Sequence, residues 1–156
     1  MTRMGIVSTG TYFPDTYVTA QEIADQSGLP EWVVREKLGI DRKFVTDPKV
    51  HPNEMAVHAA RKAIDKAGID PMEIDVVLGT TEEWREYLLW TTSIDLAHEI
   101  GAKNAWGIDV HTRCATTIAA MQLARGLMAD DPGINTVLIG GGYATSHFID
   151  HTDIDT

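Results

Sequence analysis

Residues 107–127, GIDVHTRCATTIAAMQLARGL, run from a strand-like segment into an apolar helix, and the only cysteine of the chain, Cys114, stands at the junction. The pattern predicts a strand over 105–110 and a helix over 114–128. Ala115, Ile118, Ala119, Ala120, Met121, Leu123, Ala124, Leu127 and Met128 make that helix apolar almost all round. Only Gln122 and Arg125 are long and polar in its middle. A helix apolar on every side asks for burial on every side. A two-layer domain has no such place, so the expectation is a central helix enclosed between two sheets.

Working outward, strands alternate with helices. Gly5–Phe13 reads as a strand running into a loop at Pro14. Thr19-Ala-Gln-Glu22 is a capping box that opens a helix over 19–26. A second short helix, 31–38, follows Pro30 and ends at Gly39. Asn53 is the expected N-cap of a long helix to Ala67, stopped by Gly68. A buried strand spans 74–81, a helix 88–100, and a strand 135–139 meets Gly140-Gly141-Gly142. Alternation of this kind argues for a layered α/β fold. No repeat or linker interrupts it, so the 156 residues read as one unit.

Composition narrows the function. The formal net charge is −10 and no Lys/Arg cluster stands out. That argues against nucleic acid, whose binding depends on neutralising phosphates, and against anionic lipid. No apolar run approaches the roughly 20 residues of a membrane span, and the start lacks a signal-peptide core. One cysteine makes no internal disulfide, so the expected compartment is the reducing cytoplasm.

Two readings of Cys114 are open. A lone cysteine in an apolar setting is often packing. One at the start of a buried helix, just after a strand, is also where unpaired amides favour an anion. Those amides improve a thiol as a nucleophile and can hold the oxyanion formed when it attacks a thioester. Arg113 and His111 add positive charge beside it.

Four stretches, taken in order, carry a resemblance: IVSTGTYFP, EWVVREKLGIDRKFV, AVHAARKAIDKAGIDPMEIDVVLGTTE and WGIDVHTRCATTIAAMQLARGLM. Together they resemble the N-terminal half of ketoacyl synthase III and hydroxymethylglutaryl-CoA synthase, condensing enzymes of the thiolase superfamily. The resemblance covers essentially residues 1–156. It implies the layered αβαβα fold, represented here by one half: a mixed sheet with a buried central helix. That agrees with the independent reading of 114–128.

The resemblance also implies roles. Cys114 becomes the acyl-accepting nucleophile of a Claisen-type condensation of acyl thioesters. No metal or redox cofactor is required, and acyl-CoA or an acyl carrier protein thioester is the substrate. Glu82, at the end of VVLGTT, is similar to the general acid/base of hydroxymethylglutaryl synthases; the alternative is a solvated acidic loop with Glu83 and Glu86. Trp32 matches the residue that stacks on adenine in ketoacyl synthase III, with Arg35 or Lys37 near a phosphate; alternatively it packs its own helix. The spacing from Trp32 to Gly39 is one residue longer than is typical of that family, and WREYLLW (84–90) departs from both families. The resemblance makes a homodimer the expected assembly.

The family's catalytic histidine comes from its C-terminal half, which this sequence does not include. The expectation is therefore a fragment, or one chain of a split enzyme, unable to condense substrates without that half. The rival expectation is a non-catalytic thiolase-fold subunit or acyl-binding partner. His147, His151 and Asp153 offer metal-ligand types but no helical frame, and Gly140-Gly141-Gly142 does not complete a dinucleotide motif. The triple glycine is expected to let the chain turn close to the active site.

Overall fold

The computed structural model describes residues 4–81, 89–147, 150 and 152. These residues form two compact units. The smaller comprises described residues of 13–50 and 144–152, the larger those of 4–12 and 51–143.

In the smaller unit Tyr17–Thr19 (β1) leads directly into Ala20–Ser27 (α1). The capping box forms as expected. Thr19 Oγ1 accepts from Glu22 N at 3.3 Å, and the Glu22 carboxylate accepts from Thr19 N at 2.7 Å. Gly28 closes the helix in the left-handed conformation, φ 71°. The expected second helix is irregular, with one wide π-helical turn at Val33–Lys37. Arg42–Phe44 (β2) returns antiparallel to β1. Ala20, Ile23, Ala24 and Val34 form the unit's own small core.

The larger unit begins with Pro52–Ala67 (α2), Val76–Gly79 (β3) and Thr92–Ile100 (α3). It continues through Trp106–Asp109 (β4), Thr116–Asp130 (α4) and Val137–Gly140 (β5). Its sheet has the order β4-β3-β5, and both pairings are parallel. The chain steps from β3 to β4 on one side, then crosses β3 to reach β5 on the other. Right-handed crossovers in opposite directions put their helices on opposite faces of the sheet. The side chains agree: Val77 and Leu138 pack with α2 and α3, while Val76, Leu78, Val137 and Ile139 pack with α4. Every residue of β3 is buried, as expected for the middle of a parallel sheet covered on both faces.

Two carboxylates hold this sheet together at opposite ends. Asp75, just before β3, accepts from Asn135 N and Thr136 N at 2.7 and 2.9 Å, fixing the entry to β5. Asp109, the last residue of β4, accepts from Thr92 N at 3.0 Å and Ser93 N at 2.8 Å, the first amides of α3. Burial pushes the Asp109 carboxyl up, but the hydrogen bonds from Ser93 and Thr92 outweigh it and leave it below the usual carboxylate range.

Three expectations need correction. Gly5–Phe13 is not a strand: residues 5–12 join no ladder among the described residues, and Ile6 and Val7 are 72% and 82% exposed. β-Branched residues favour an extended backbone, but a strand also needs a neighbour's amides and carbonyls. Asn53 does not cap α2. His51 does, its Nδ1 accepting from Asn53 N at 3.0 Å, which frees the buried Asn53 amide to donate to Thr92 O and Asp95 Oδ2. Finally, α4 lies buried only on its sheet side, through Thr116, Ala120 and Ala124. Ile118 (61% exposed) and Met121 (40%) stand on its outer side, where no described residue covers them. The apolar pattern is real, but within this chain one sheet supplies one wall.

Asp109→Ala should cost about 2 kcal/mol in urea unfolding at neutral pH, the loss of two charge-assisted bonds to buried amides. Because its folded pKa is depressed, the Asp109 contribution is fully present above the unfolded value of about 4. It disappears as pH falls through the lower folded value, so wild type and variant should converge in strong acid.

Candidate active site

The parallel register brings three chain segments out at one edge. Gly79 of β3 pairs with Asp109 of β4 and Gly140 of β5, so the strands end level. The residues that follow them line one cleft of about 360 Å³: Thr80 after β3, Arg113 and Cys114 after β4, and Gly141, Gly142 and Tyr143 after β5. Thr116 and Thr117, at the start of α4, complete it. The carboxyl edge of a parallel sheet, beside the strand where crossovers diverge, is where such folds bind ligands.

Cys114 is a free, exposed thiol in this cleft. It lies in a 3₁₀ turn, Arg113–Ala115, immediately before α4, rather than at the first residue of the helix. Thr116 N donates within that turn to Arg113 O, and Thr116 Oγ1 accepts from Thr112 N at 2.8 Å. No side chain caps the N-terminus of α4 among the described residues. Arg113 has φ 57°, the only non-glycine residue at positive φ among those described. That conformation costs roughly 1 kcal/mol or more, and such strain concentrates at functional sites.

The glycines form the floor. A Cβ on Gly142 would overlap the Pro52 carbonyl oxygen, and one on Gly141 would overlap Thr80 Oγ1 and approach Thr81 N at 2.7 Å. Gly142 N donates to the buried Thr81 hydroxyl at 3.0 Å. Gly141 and Gly142 line the same cleft as Cys114.

The other site expectations fare differently. Glu82 lies outside the described residues, as do Glu83, Glu86 and most of 84–90. Of the metal-like group, His151 and Asp153 lie outside them. Among the described residues no cluster of three His, Cys, Asp or Glu side chains is placed to hold a metal ion, and no helix is long and apolar enough to cross a membrane. Trp32 is 53% exposed, at the start of the π-helical turn of the smaller unit. Arg35 is engaged there: it bonds Glu31 at 2.8 and 3.2 Å and pairs with Asp41. The hydrogen bond with Glu31, then that with Asp41, raises the already high Arg35 pKa. The sequence reading missed the hydroxyl-bearing walls, Thr80, Thr116, Thr117 and Tyr143. The paired threonines on either side of the fold, 80–81 and 116–117, were the available signal.

Comparison with known proteins places this geometry. The profile of the 3-oxoacyl-[acyl-carrier-protein] synthase III family matches residues 108–156, which include Cys114. A β-ketoacyl-[acyl-carrier-protein] synthase III of Ehrlichia canis (strain Jake) is 30% identical over 158 aligned residues, spanning 100% of this chain and 48% of its own. The priming β-ketosynthase of the R1128 polyketide biosynthetic pathway superposes with a TM-score of 0.87 at 29% identity, over 96% of this chain and 44% of its own. In sequence and in fold the chain is similar to the N-terminal half of ketoacyl synthase III proteins. A synthase III of Aquifex aeolicus VF5, 23% identical, shares the fold with a TM-score of 0.82 over 97% of this chain and 48% of its own. The thiolase-like chain spans about half the length of the curated relatives it matches, and the region it matches is their N-terminal half.

Gly142→Ala should lower stability by at least about 2 kcal/mol, since the added methyl meets backbone that cannot yield. Gly126→Ala is the control: it lies within α4 with open space around its Cα, and should gain up to about 1 kcal/mol. Thermal unfolding of the pair reads both signs.

Proposed function

We propose that this chain carries the acyl-accepting centre of a condensing acyltransferase that joins acyl thioesters through an acyl-Cys114 intermediate. One observation carries the reading: the only cysteine is an exposed thiol, next to a strained backbone residue, in the cleft at the carboxyl edge of a parallel sheet.

In the first step the Cys114 sulfur attacks the thioester carbonyl. The carbon–sulfur bond to the donor breaks, the donor thiolate takes up a proton, and the acyl group stays on Cys114. In the second step another thioester loses its α-proton to a base, or its α-carboxylate as carbon dioxide; the resulting carbanion attacks that acyl carbonyl, a carbon–carbon bond forms, and Cys114 leaves as thiolate. Amides at the start of α4 are the proposed source of oxyanion stabilisation. Glu82 is the proposed proton acceptor in the hydroxymethylglutaryl synthase-like version of the second step. Its absence from ketoacyl synthase III members makes it the residue that separates the two.

The proposed donor is an acyl carrier protein thioester, the carrier that the relatives' names print, or acyl-CoA. Trp32 offers an indole face for adenine. Arg35 would have to exchange Glu31 and Asp41 for a phosphate, which leaves the exposed Lys37 as the readier cation. Condensation also requires the family's histidine-bearing C-terminal half. The proposed assembly is a homodimer containing it.

Incubation with isotopically labelled acetyl-CoA, followed by peptide mass spectrometry, tests the centre. Label should sit on Cys114 and be absent from Cys114→Ser. No label on the folded wild-type protein, with or without a complementary half, would favour a non-catalytic subunit instead. Glu82→Ala should leave acylation within about twofold of wild type yet reduce condensation by about 10²-fold or more; unchanged condensation removes Glu82 from the mechanism.

A further inference from the structure

We infer that Lys43 is a second acyl acceptor: its side-chain nitrogen takes acyl groups directly from thioesters and is modified ahead of every other lysine of the chain. The inference does not depend on the acyl-Cys114 reading.

The first argument is position. The chain has six lysines, and all of them are described. Lys37, Lys49, Lys62, Lys66 and Lys103 are exposed, and Lys43 alone is half-buried. It is the middle residue of β2, paired across the ribbon with Val18 of β1. Residues directly opposite in a ladder share a face. Val18 packs against the small core of Ala20, Ile23, Ala24 and Val34. Lys43 therefore leaves the ribbon on its core side, while Arg42 and Phe44 leave it on the other.

The second is the want of a counter-charge. Among the described residues the Lys43 ammonium makes no hydrogen bond or ion pair. Carboxylates of the surrounding elements are engaged elsewhere. Glu22 accepts from Thr19 N and Thr19 Oγ1, and Glu31 and Asp41 both hold Arg35. The preceding residue is itself a cation, Arg42, whose guanidinium lies 5.3 Å from the ring centroids of both Tyr17 and Phe44. A half-buried ammonium with no anion to offset its burial is disfavoured against the neutral amine. Burial accordingly holds the Lys43 amine below the usual lysine range.

The third is chemical. A protonated amine has no lone pair to give. A lysine that is desolvated, or that lies next to another cation, is activated as a nucleophile. The neutral Lys43 nitrogen attacks the thioester carbonyl. A carbon–nitrogen bond forms, the carbon–sulfur bond breaks, and the leaving thiolate takes up the proton that the nitrogen gives up. The product amide is neutral, so the modification removes a charge that this position does not compensate.

Isotopically labelled acetyl-CoA tests the assignment, with peptide mass spectrometry following each lysine over time. Near neutral pH Lys43 should gain label about fivefold faster or more than the median of the five exposed lysines. A rate within about twofold of theirs overturns the inference. The lead should vanish in guanidinium chloride, where all six amines are solvated; a lead that persists there owes nothing to the fold and overturns it as well. Cys114→Ser should leave Lys43 labelling unchanged, and loss of that label would refute direct attack. Label on Lys43 with none on Cys114 supports the inference while removing the acyl-enzyme. Lys43→Met keeps an apolar stem and deletes the uncompensated charge, so it should melt at or above the wild-type temperature. A lower melting temperature shows that the ammonium is favourably held and refutes the argument from burial.

Discussion

Everything at the site follows from the register of three parallel strands. Gly79, Asp109 and Gly140 lie side by side across the sheet. Segments remote in sequence, beginning at Thr80, Val110 and Gly141, therefore leave the sheet at one level. A slip of one residue in either pairing would also turn a strand's apolar side chains to the wrong face. The alternation of Val76 and Leu78 toward α4, with Val77 toward α2 and α3, makes that slip costly. The packing of the core thus sets where the thiol emerges.

Polar clamps convert that register into a fixed cleft. Asp75 ties the beginning of β3 to the beginning of β5, and Asp109 ties the end of β4 to the start of α3. Asn53 links α2 to α3, and the Thr81 hydroxyl receives Gly142 N. All but the bond from Asn135 N involve buried or partly buried groups that would otherwise be expensive to leave unpaired. The strain at Arg113 is tolerated because the segments on both sides of it are held in this way.

How much of this the sequence discloses depends on the kind of interaction. Periodicity located β3, β4, β5, α2 and α4 to within a few residues, because strand alternation and helical stripes are local consequences of burial. The capping box at Thr19 was legible for the same reason, since both partners lie within four residues. Asp109 as a clamp was not, because its partners sit 16 and 17 residues earlier and only the folded sheet brings them close. Asn53 looked like an N-cap, the role its residue type favours, until His51 took that position. The apolar circumference of α4 predicted two walls and the described residues supply one, because a helical stripe does not say which wall a given stretch of chain provides. The structure puts the Cys114 thiol in a cleft, and the place of that residue between strand and helix was legible. The left-handed turn beside it was not, because arginine carries no signal for that conformation.

The floor of the cleft is backbone laid against backbone, at Gly141, Gly142 and Pro52, while Arg113, Thr117 and Tyr143 on its walls are exposed. These two parts answer differently to genetic drift. No exchange of residue can reshape the floor without prying a helix from a strand end, whereas positions 113, 117 and 143 can change without disturbing the strands beneath. A lineage built on this plan can diversify what it accepts and keep one chassis, with its novelty accumulating at the rim and its silence below.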